Sequence, residues 1–260
     1  MVSVESADQS ERAISPTAFD AVIFDLDGVV THTASVHARA WKRVFDEFLQ
    51  RRAEREGTPF RPFQIERDYP EYVDGKPRYD GVRSFLRARG VHLPEGEPSD
   101  GPEAQTVCGL GNRKNELYNL MLDEGGVDVF EDTVEQIRVW RGMGLKTAIV
   151  SSSKNCASVL QAADLADLFD VRVDGVVSAR LGLTGKPAPD IFLKAAELLN
   201  VDPERSVVFE DAVSGVQAGR AGGFGWVVGV DRVGNPEVLL ENGADTVVDD
   251  LRKIRTGERG

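Results

Sequence analysis

Cysteine is nearly absent from this 260-residue chain, where Cys108 and Cys156 are the two present. Two isolated thiols exclude a disulfide framework and a Cys-rich zinc site, and a reducing cytoplasm is the expected setting. Long apolar runs are missing too: none approaches the roughly 20 residues that cross a bilayer. Residues 1–17 carry acids and small polar residues without the apolar segment of a signal peptide, so a disordered tail is expected there. Positive charge is also short. Asp and Glu outnumber Lys and Arg by 43 to 31, the formal net charge is −12, and no long basic stripe appears. That sign excludes nucleic acid as a non-specific partner and an anionic membrane surface, while leaving room for a local basic pocket for a small anion.

What is present is the composition of a globular protein, 41% hydrophobic and 28% charged. The most informative stretch is Ala21-Val22-Ile23-Phe24-Asp25-Leu26-Asp27-Gly28-Val29-Val30. Its uninterrupted apolar run reads as a strand buried on both faces, with two carboxylates at its carboxyl end, where open α/β sheets place their ligands. Asp25 and Asp27 are two apart, so an extended backbone points both the same way. A slight curl then lets one side chain and one backbone carbonyl face a common hard cation. The competing reading is a strand end whose acids cap a turn or a helix.

Helical spacing follows over Val36–Arg55, stopped at Gly57-Thr58-Pro59, and then a largely irregular stretch to about Gly126 with short helices over Arg83–Arg89 and Asn112–Asp123. From Val127 short apolar strands alternate with amphipathic helices. The strands are Lys146–Val150, a short region at Val171–Val177, Ser206–Phe209, Gly225–Val230 and Thr246–Val248. The helices are Thr133–Arg141, Cys156–Ala163, Pro189–Leu199, Val213–Gly219 and Pro236–Asn242. The alternation predicts an α/β fold, a parallel sheet with helices on both faces. Residues 18–33 and 126–255 form this core, and residues 34–125 a mostly helical module inserted just after the acid pair. An insertion there is placed to act as a lid that excludes water.

The other strand ends carry polar groups as well. Lys146–Val150 runs into Ser151-Ser152-Ser153-Lys154-Asn155, able to receive a phosphate or simply to cap the next helix. Lys186 lies in Gly185-Lys186-Pro187-Ala188-Pro189-Asp190, a loop stiffened by two prolines that aims one point charge. Ser206–Phe209 ends in Glu210-Asp211, where one acid can bind a metal and the other act through water or a neighbour, with helix capping as the rival role for Asp211. Together these groups describe phosphoryl transfer. One Asp attacks phosphorus, a divalent ion bridges it to the phosphoryl oxygens, Lys and Ser offset charge, and the second Asp moves the proton.

Asp25-Leu26-Asp27-Gly28-Val29, Ser151, Lys186 in Gly-Lys-Pro-Ala-Pro-Asp, and Glu210-Asp211 occur in the order of the haloacid dehalogenase-like phosphohydrolases. The chain resembles that superfamily, and within it the β-phosphoglucomutase-like group, whose fold is a Rossmann-like core with an inserted helical cap. By this resemblance Asp25 is the nucleophile, Asp27 the general acid/base, and Ser151 and Lys186 complete the catalytic set. Mg²⁺ is held among Asp25, Asp27 through its backbone carbonyl, and Asp211, with Glu210 in the outer shell of the metal site.

His37 and Trp41, one helical turn apart, are similar to the first cap helix of that group. Gly75-Lys76-Pro77-Arg78 is similar to the cap loop that holds a distal phosphate, Lys114 to a segment reaching the sugar, and Ser153-Lys154-Asn155 to a sugar-phosphate contact. The wording of the cap departs from the group's pattern at His32 and in an extra Pro- and Gly-rich loop near Pro94–Pro102, which bears on sugar selection more than on chemistry. The resemblance implies interconversion of β-D-glucose 1-phosphate and β-D-glucose 6-phosphate through an aspartyl phosphate and β-glucose 1,6-bisphosphate. The alternative is a sugar-phosphate phosphatase. A monomer acting on small sugar phosphates is expected.

Overall fold

The apolar run before the acid pair becomes the middle of a parallel sheet. The structure, a computed structural model, describes residues 12–257, and the chain divides into two compact units: Thr31–Asp128, and the segments on either side of it. β1 (Ala13–Ile14) and β2 (Ala21–Asp25) precede the inserted unit. The insert holds α1 (Thr33–Glu56), α2 (Ile65–Asp68), α3 (Arg78–Ala88) and α4 (Val107–Gly125). Then come α5 (Glu131–Gly142), β3 (Lys146–Val150), α6 (Cys156–Ala162), β4 (Val171–Val173), α7 (Gly175–Leu181) and α8 (Asp190–Leu199). The chain finishes through β5 (Ser206–Glu210), α9 (Val213–Ala221), β6 (Trp226–Val230), α10 (Pro236–Glu241), β7 (Thr246–Val248) and β8 (Arg255–Thr256).

Six strands pair in the order β4-β3-β2-β5-β6-β7, every pairing parallel. β2 is buried along its whole length, as a strand covered on both faces must be. On one face Phe24 stacks on Phe209 with ring centroids 4.7 Å apart, and Phe209 lies 5.3 Å from Trp140 of α5. On the other face Ile23, Val150 and Val208 pack with Ile191, Phe192 and Ala195 of α8. Each such large side chain removed from water contributes about 1.5–3 kcal/mol. The strands flanking β2 are β3 and β5, so the order reverses at β2 and the crevice at its carboxyl end is the ligand position of such a sheet.

The tail expected over residues 1–17 needs correction at its inner end. Ala13–Ile14 pair with Arg255–Thr256 in a second, two-stranded sheet, with the Ile14 side chain fully buried; residues 1–11 lie outside the described residues. The strand expected across Val171–Val177 is likewise shorter. It stops at Val173 because Asp174 Oδ1 accepts the backbone N–H groups of Val176 and Val177, at 2.9 and 3.0 Å, and so starts α7.

In the inserted unit, Val36, Ala40, Trp41, Val44 and Phe45 of α1 form one buried stripe against Phe63, Phe85, Leu86, Leu117 and Tyr118. α1 ends at Gly57, whose φ of 64° is the left-handed cap that glycine supplies cheaply. The segment after it is more helical than its wording suggests. α3 begins at Arg78 and α4 at Val107, ahead of the expected Arg83 and Asn112. Two glycines in α4 are contact points: a Cβ on Gly109 would lie 2.2 Å from the Ala104 carbonyl oxygen, and one on Gly111 2.7 Å from the Tyr79 ring. Among the described residues no helix is long and apolar enough to cross a membrane.

Candidate active site

Asp25 is the last residue of β2 and Glu210 the last of β5, its neighbour in the sheet. Lys186, in the loop before α8, places its ammonium between them and bonds to Asp25 Oδ1 and to Glu210 Oε1. All three are buried, at 6%, 3% and 0% exposure for Asp25, Lys186 and Glu210. The remaining oxygens are used as well: Asp25 Oδ2 accepts the Asp27 N–H at 2.8 Å, and Glu210 Oε2 the Ala212 N–H at 2.8 Å. Burial opposes the charge on Lys186, but Asp25 and Glu210 more than offset it and raise its pKa, so the ammonium persists. Burial also pushes the Asp25 carboxyl well above its usual range, against Lys186 and reinforced by Glu210 and Asp27. One ammonium does not balance the carboxylates gathered here.

Asp27 is half-buried, and Ser151, the first residue after β3, donates its hydroxyl to Asp27 Oδ2 at 3.2 Å. The serine segment keeps a turn role besides: Ser151 Oγ accepts the Ser153 N–H and Ser153 Oγ the Asn155 N–H, both at 3.1 Å. The loop that presents a hydroxyl to the acid pair is therefore rigid. Lys154 stands exposed on it.

The donor set suits a hard divalent cation. Gly28 has a φ of 97°, and a Cβ there would fall 1.8 Å from Asp211 Oδ2, so the Asp211 carboxylate rests against the backbone of the Asp25–Gly28 loop. Asp25 and Asp211 lie at and just past the ends of neighbouring strands, and with the Asp27 carbonyl they could supply the oxygen ligands that such a cation takes. Among the described residues no group of three or more His, Cys, Asp or Glu converges on a metal position. Glu210, expected in the outer shell of the metal site, has its two oxygens engaged by Lys186 and by the Ala212 N–H. Ala212, not Asp211, takes the helix-capping position ahead of α9.

The inserted unit gathers a second group. Lys114 of α4, 5% exposed, donates to His37 Nδ1 and sits over the rings of Tyr118 and Trp41, at 4.7 and 5.2 Å. His37 stacks on Tyr118 with centroids 4.0 Å apart. Trp41, expected at the substrate, is buried and stacked on Phe45 at 5.1 Å, and its ring forms a wall for Lys114. Gly75 turns the chain with a φ of 67°. After it Lys76 points inward to the Tyr72 carbonyl at 3.1 Å and Ser84 Oγ at 3.2 Å. Arg78 opens α3 with its guanidinium 5.2 Å from the Tyr79 ring centroid, and among the described residues it makes no ion pair or hydrogen bond. Sequence reasoning missed Tyr118 and Asn112. Tyr118 was findable, since Lys114 and Tyr118 are four apart on one helix face.

Comparison with known proteins gives this arrangement a context. A family model described as haloacid dehalogenase-like hydrolase matches residues 19–223. A β-phosphoglucomutase of Mycobacterium tuberculosis is 49% identical over 242 residues, 92% of this chain and 92% of its own. A phosphorylated carbohydrates phosphatase of Thermotoga maritima is 31% identical over 232 residues, 88% of this chain and 94% of its own. Among solved structures, the β-phosphoglucomutase of Clostridium difficile is 28% identical with a TM-score of 0.69, covering 91% of this chain and 93% of that one.

Proposed function

Because the chain belongs to the haloacid dehalogenase-like hydrolase family, in its β-phosphoglucomutase-like subfamily, we propose that it interconverts β-D-glucose 1-phosphate and β-D-glucose 6-phosphate. Asp25 attacks phosphorus and becomes an aspartyl phosphate; its carboxylate is already oriented by the Asp27 N–H and by Lys186. Phospho-Asp25 then transfers its phosphoryl group to the free hydroxyl of a bound monophosphate, while Asp27 takes that hydroxyl's proton. The β-glucose 1,6-bisphosphate so formed turns around. Asp25 takes back the other phosphoryl group as Asp27 returns the proton to the departing oxygen.

Lys186 and Ser151 offset charge at the transferring group. Asp25, Asp211 and the Asp27 carbonyl would hold Mg²⁺, which when bound would supply positive charge to offset that of the transferring phosphoryl group. Lys154, Ser153, Asn155, Gly75, His37 and Lys114 are assigned to the sugar phosphate.

Arg78 is the observation that carries transfer between sugar positions over plain hydrolysis. A guanidinium fork stacked on Tyr79 and otherwise unengaged suits the phosphate that is not reacting. A sugar-phosphate phosphatase is the second reading, favoured by the Thermotoga maritima relative. With β-glucose 1-phosphate, Mg²⁺ and catalytic β-glucose 1,6-bisphosphate, glucose 6-phosphate is expected to form far faster than inorganic phosphate. Equal rates of the two products would overturn the mutase reading. Arg78→Ala is expected to weaken mutase turnover while sparing hydrolysis of a small aryl phosphate.

A further inference from the structure

The Pro- and Gly-rich loop near Pro94–Pro102 folds onto the start of α4. The backbone N–H groups of Val107 and Cys108 donate to the Pro94 and Glu95 carbonyls, each at 3.0 Å, and Thr106 Oγ1 donates to Asp100 Oδ2 at 2.6 Å. Gly96 makes this turn possible with a φ of 72°: a Cβ there would fall 2.1 Å from Asp100 Oδ2 and 2.5 Å from Thr106 Oγ1.

The side chain of Asn112 joins this loop to α3. Its amide nitrogen donates to the Asp100 and Pro98 carbonyls, at 2.8 and 3.1 Å, and its oxygen accepts the Tyr79 hydroxyl at 2.9 Å. The residue before it, Gly111, leaves the space that the Tyr79 ring and the stem of Arg78 fill; a Cβ on Gly111 would lie 2.7 Å from Tyr79 and 3.2 Å from Arg78 Cγ. The Arg78 guanidinium in turn rests over the Tyr79 ring at 5.2 Å, with no other polar partner among the described residues.

We propose that the Pro94–Pro102 loop, Asn112 and Tyr79 form a strut that aims the Arg78 guanidinium, so that Asn112 and Tyr79 are positioning residues for recognition of the substrate's non-reacting phosphate. The proposal rests on the reading of Arg78 given above. An arginine carries a long, flexible stem, and a ring clamped at its hydroxyl end limits the directions its fork can take. The loop therefore acts on specificity without itself contacting a ligand.

A double-mutant cycle tests it with the whole chain. Tyr79→Phe keeps the ring and removes only the hydroxyl, which makes it safe for folding; Asn112→Ala removes the hub. Each is expected to raise KM for β-glucose 1-phosphate roughly five-fold with kcat little changed, and to leave hydrolysis of a small aryl phosphate unaltered. In an Arg78→Ala background, Tyr79→Phe is expected to add nothing. An unchanged KM in Tyr79→Phe, full additivity with Arg78→Ala, or equal loss on the aryl phosphate would each overturn the strut. If Arg78→Ala alone leaves KM for the sugar phosphate intact, the reading of Arg78 fails instead.

Discussion

The two units handle buried positive charge in opposite ways. In the α/β unit Lys186 is fixed by two buried carboxylates, Asp25 and Glu210, whose backbones are the ends of neighbouring strands. In the helical unit Lys114 is set on a histidine and on the faces of Trp41 and Tyr118. A carboxylate cradle locks both charge and position, because removing either partner leaves an uncompensated ion in a low-dielectric site. An aromatic cradle holds the cation by weaker forces. The first arrangement suits a group that must be in place whenever phosphorus arrives. The second holds a cation largely by the faces of aromatic rings.

The largest effect sharpens the chemical half of this contrast. Asp25→Asn removes the nucleophile, and turnover is expected to fall on the order of 10⁴-fold or more, with no phosphoenzyme seen by mass spectrometry. A variant that still formed phosphoenzyme would move the nucleophile elsewhere.

Glu210→Ala tests the cradle itself. It leaves the buried Lys186 ammonium one carboxylate short and is expected to destabilise the α/β unit by about 3–5 kcal/mol in a urea melt. Lys114→Met, in the aromatic cradle, is expected to lose only about 1–2 kcal/mol. Similar losses for the two would end the distinction drawn between them.

A surface pair gives the smallest effect and the baseline for both. Hydrogen bonding from Arg252 holds the Asp250 carboxyl down to about 2. A folded-state value below the unfolded one means that its contribution is present above about pH 4 and is lost as pH falls toward 2. The pair is close to solvent, so Asp250→Asn is expected to cost less than about 1 kcal/mol at neutral pH in a thermal or urea melt. Its loss relative to the parent should vanish in acid; a difference that persists at pH 2 would mean the carboxylate stabilises by something other than its charge.

Legibility differed between the units for a physical reason. Strands buried on both faces have to be apolar along their length, so β2, β3, β5 and β6 were visible, and the polar residues that end them stood out at once. Asp25, Asp27, Ser151 and Glu210-Asp211 were all legible this way, and Lys186, which follows α7 and not a strand, by the two prolines that frame its loop. In the helical unit the reading fell short, since the start of α4 holds Gly109 and Gly111, helix positions where another chain segment presses close. Asp174 was misread for a related reason, being an N-cap inside an apolar run.

The sequence by itself determined the order of the elements, the parallel α/β class, the inserted helical unit and the residue types at the strand ends, because these follow from periodicity and from what a buried strand can tolerate. Only the tertiary structure decided which oxygen meets which proton. That Glu210 spends both oxygens on Lys186 and Ala212, that Trp41 forms a wall for Lys114, and that Asn112 ties a distant loop to Tyr79 all depend on side chains from separate elements meeting in space. Spacing along the chain carries no record of such meetings.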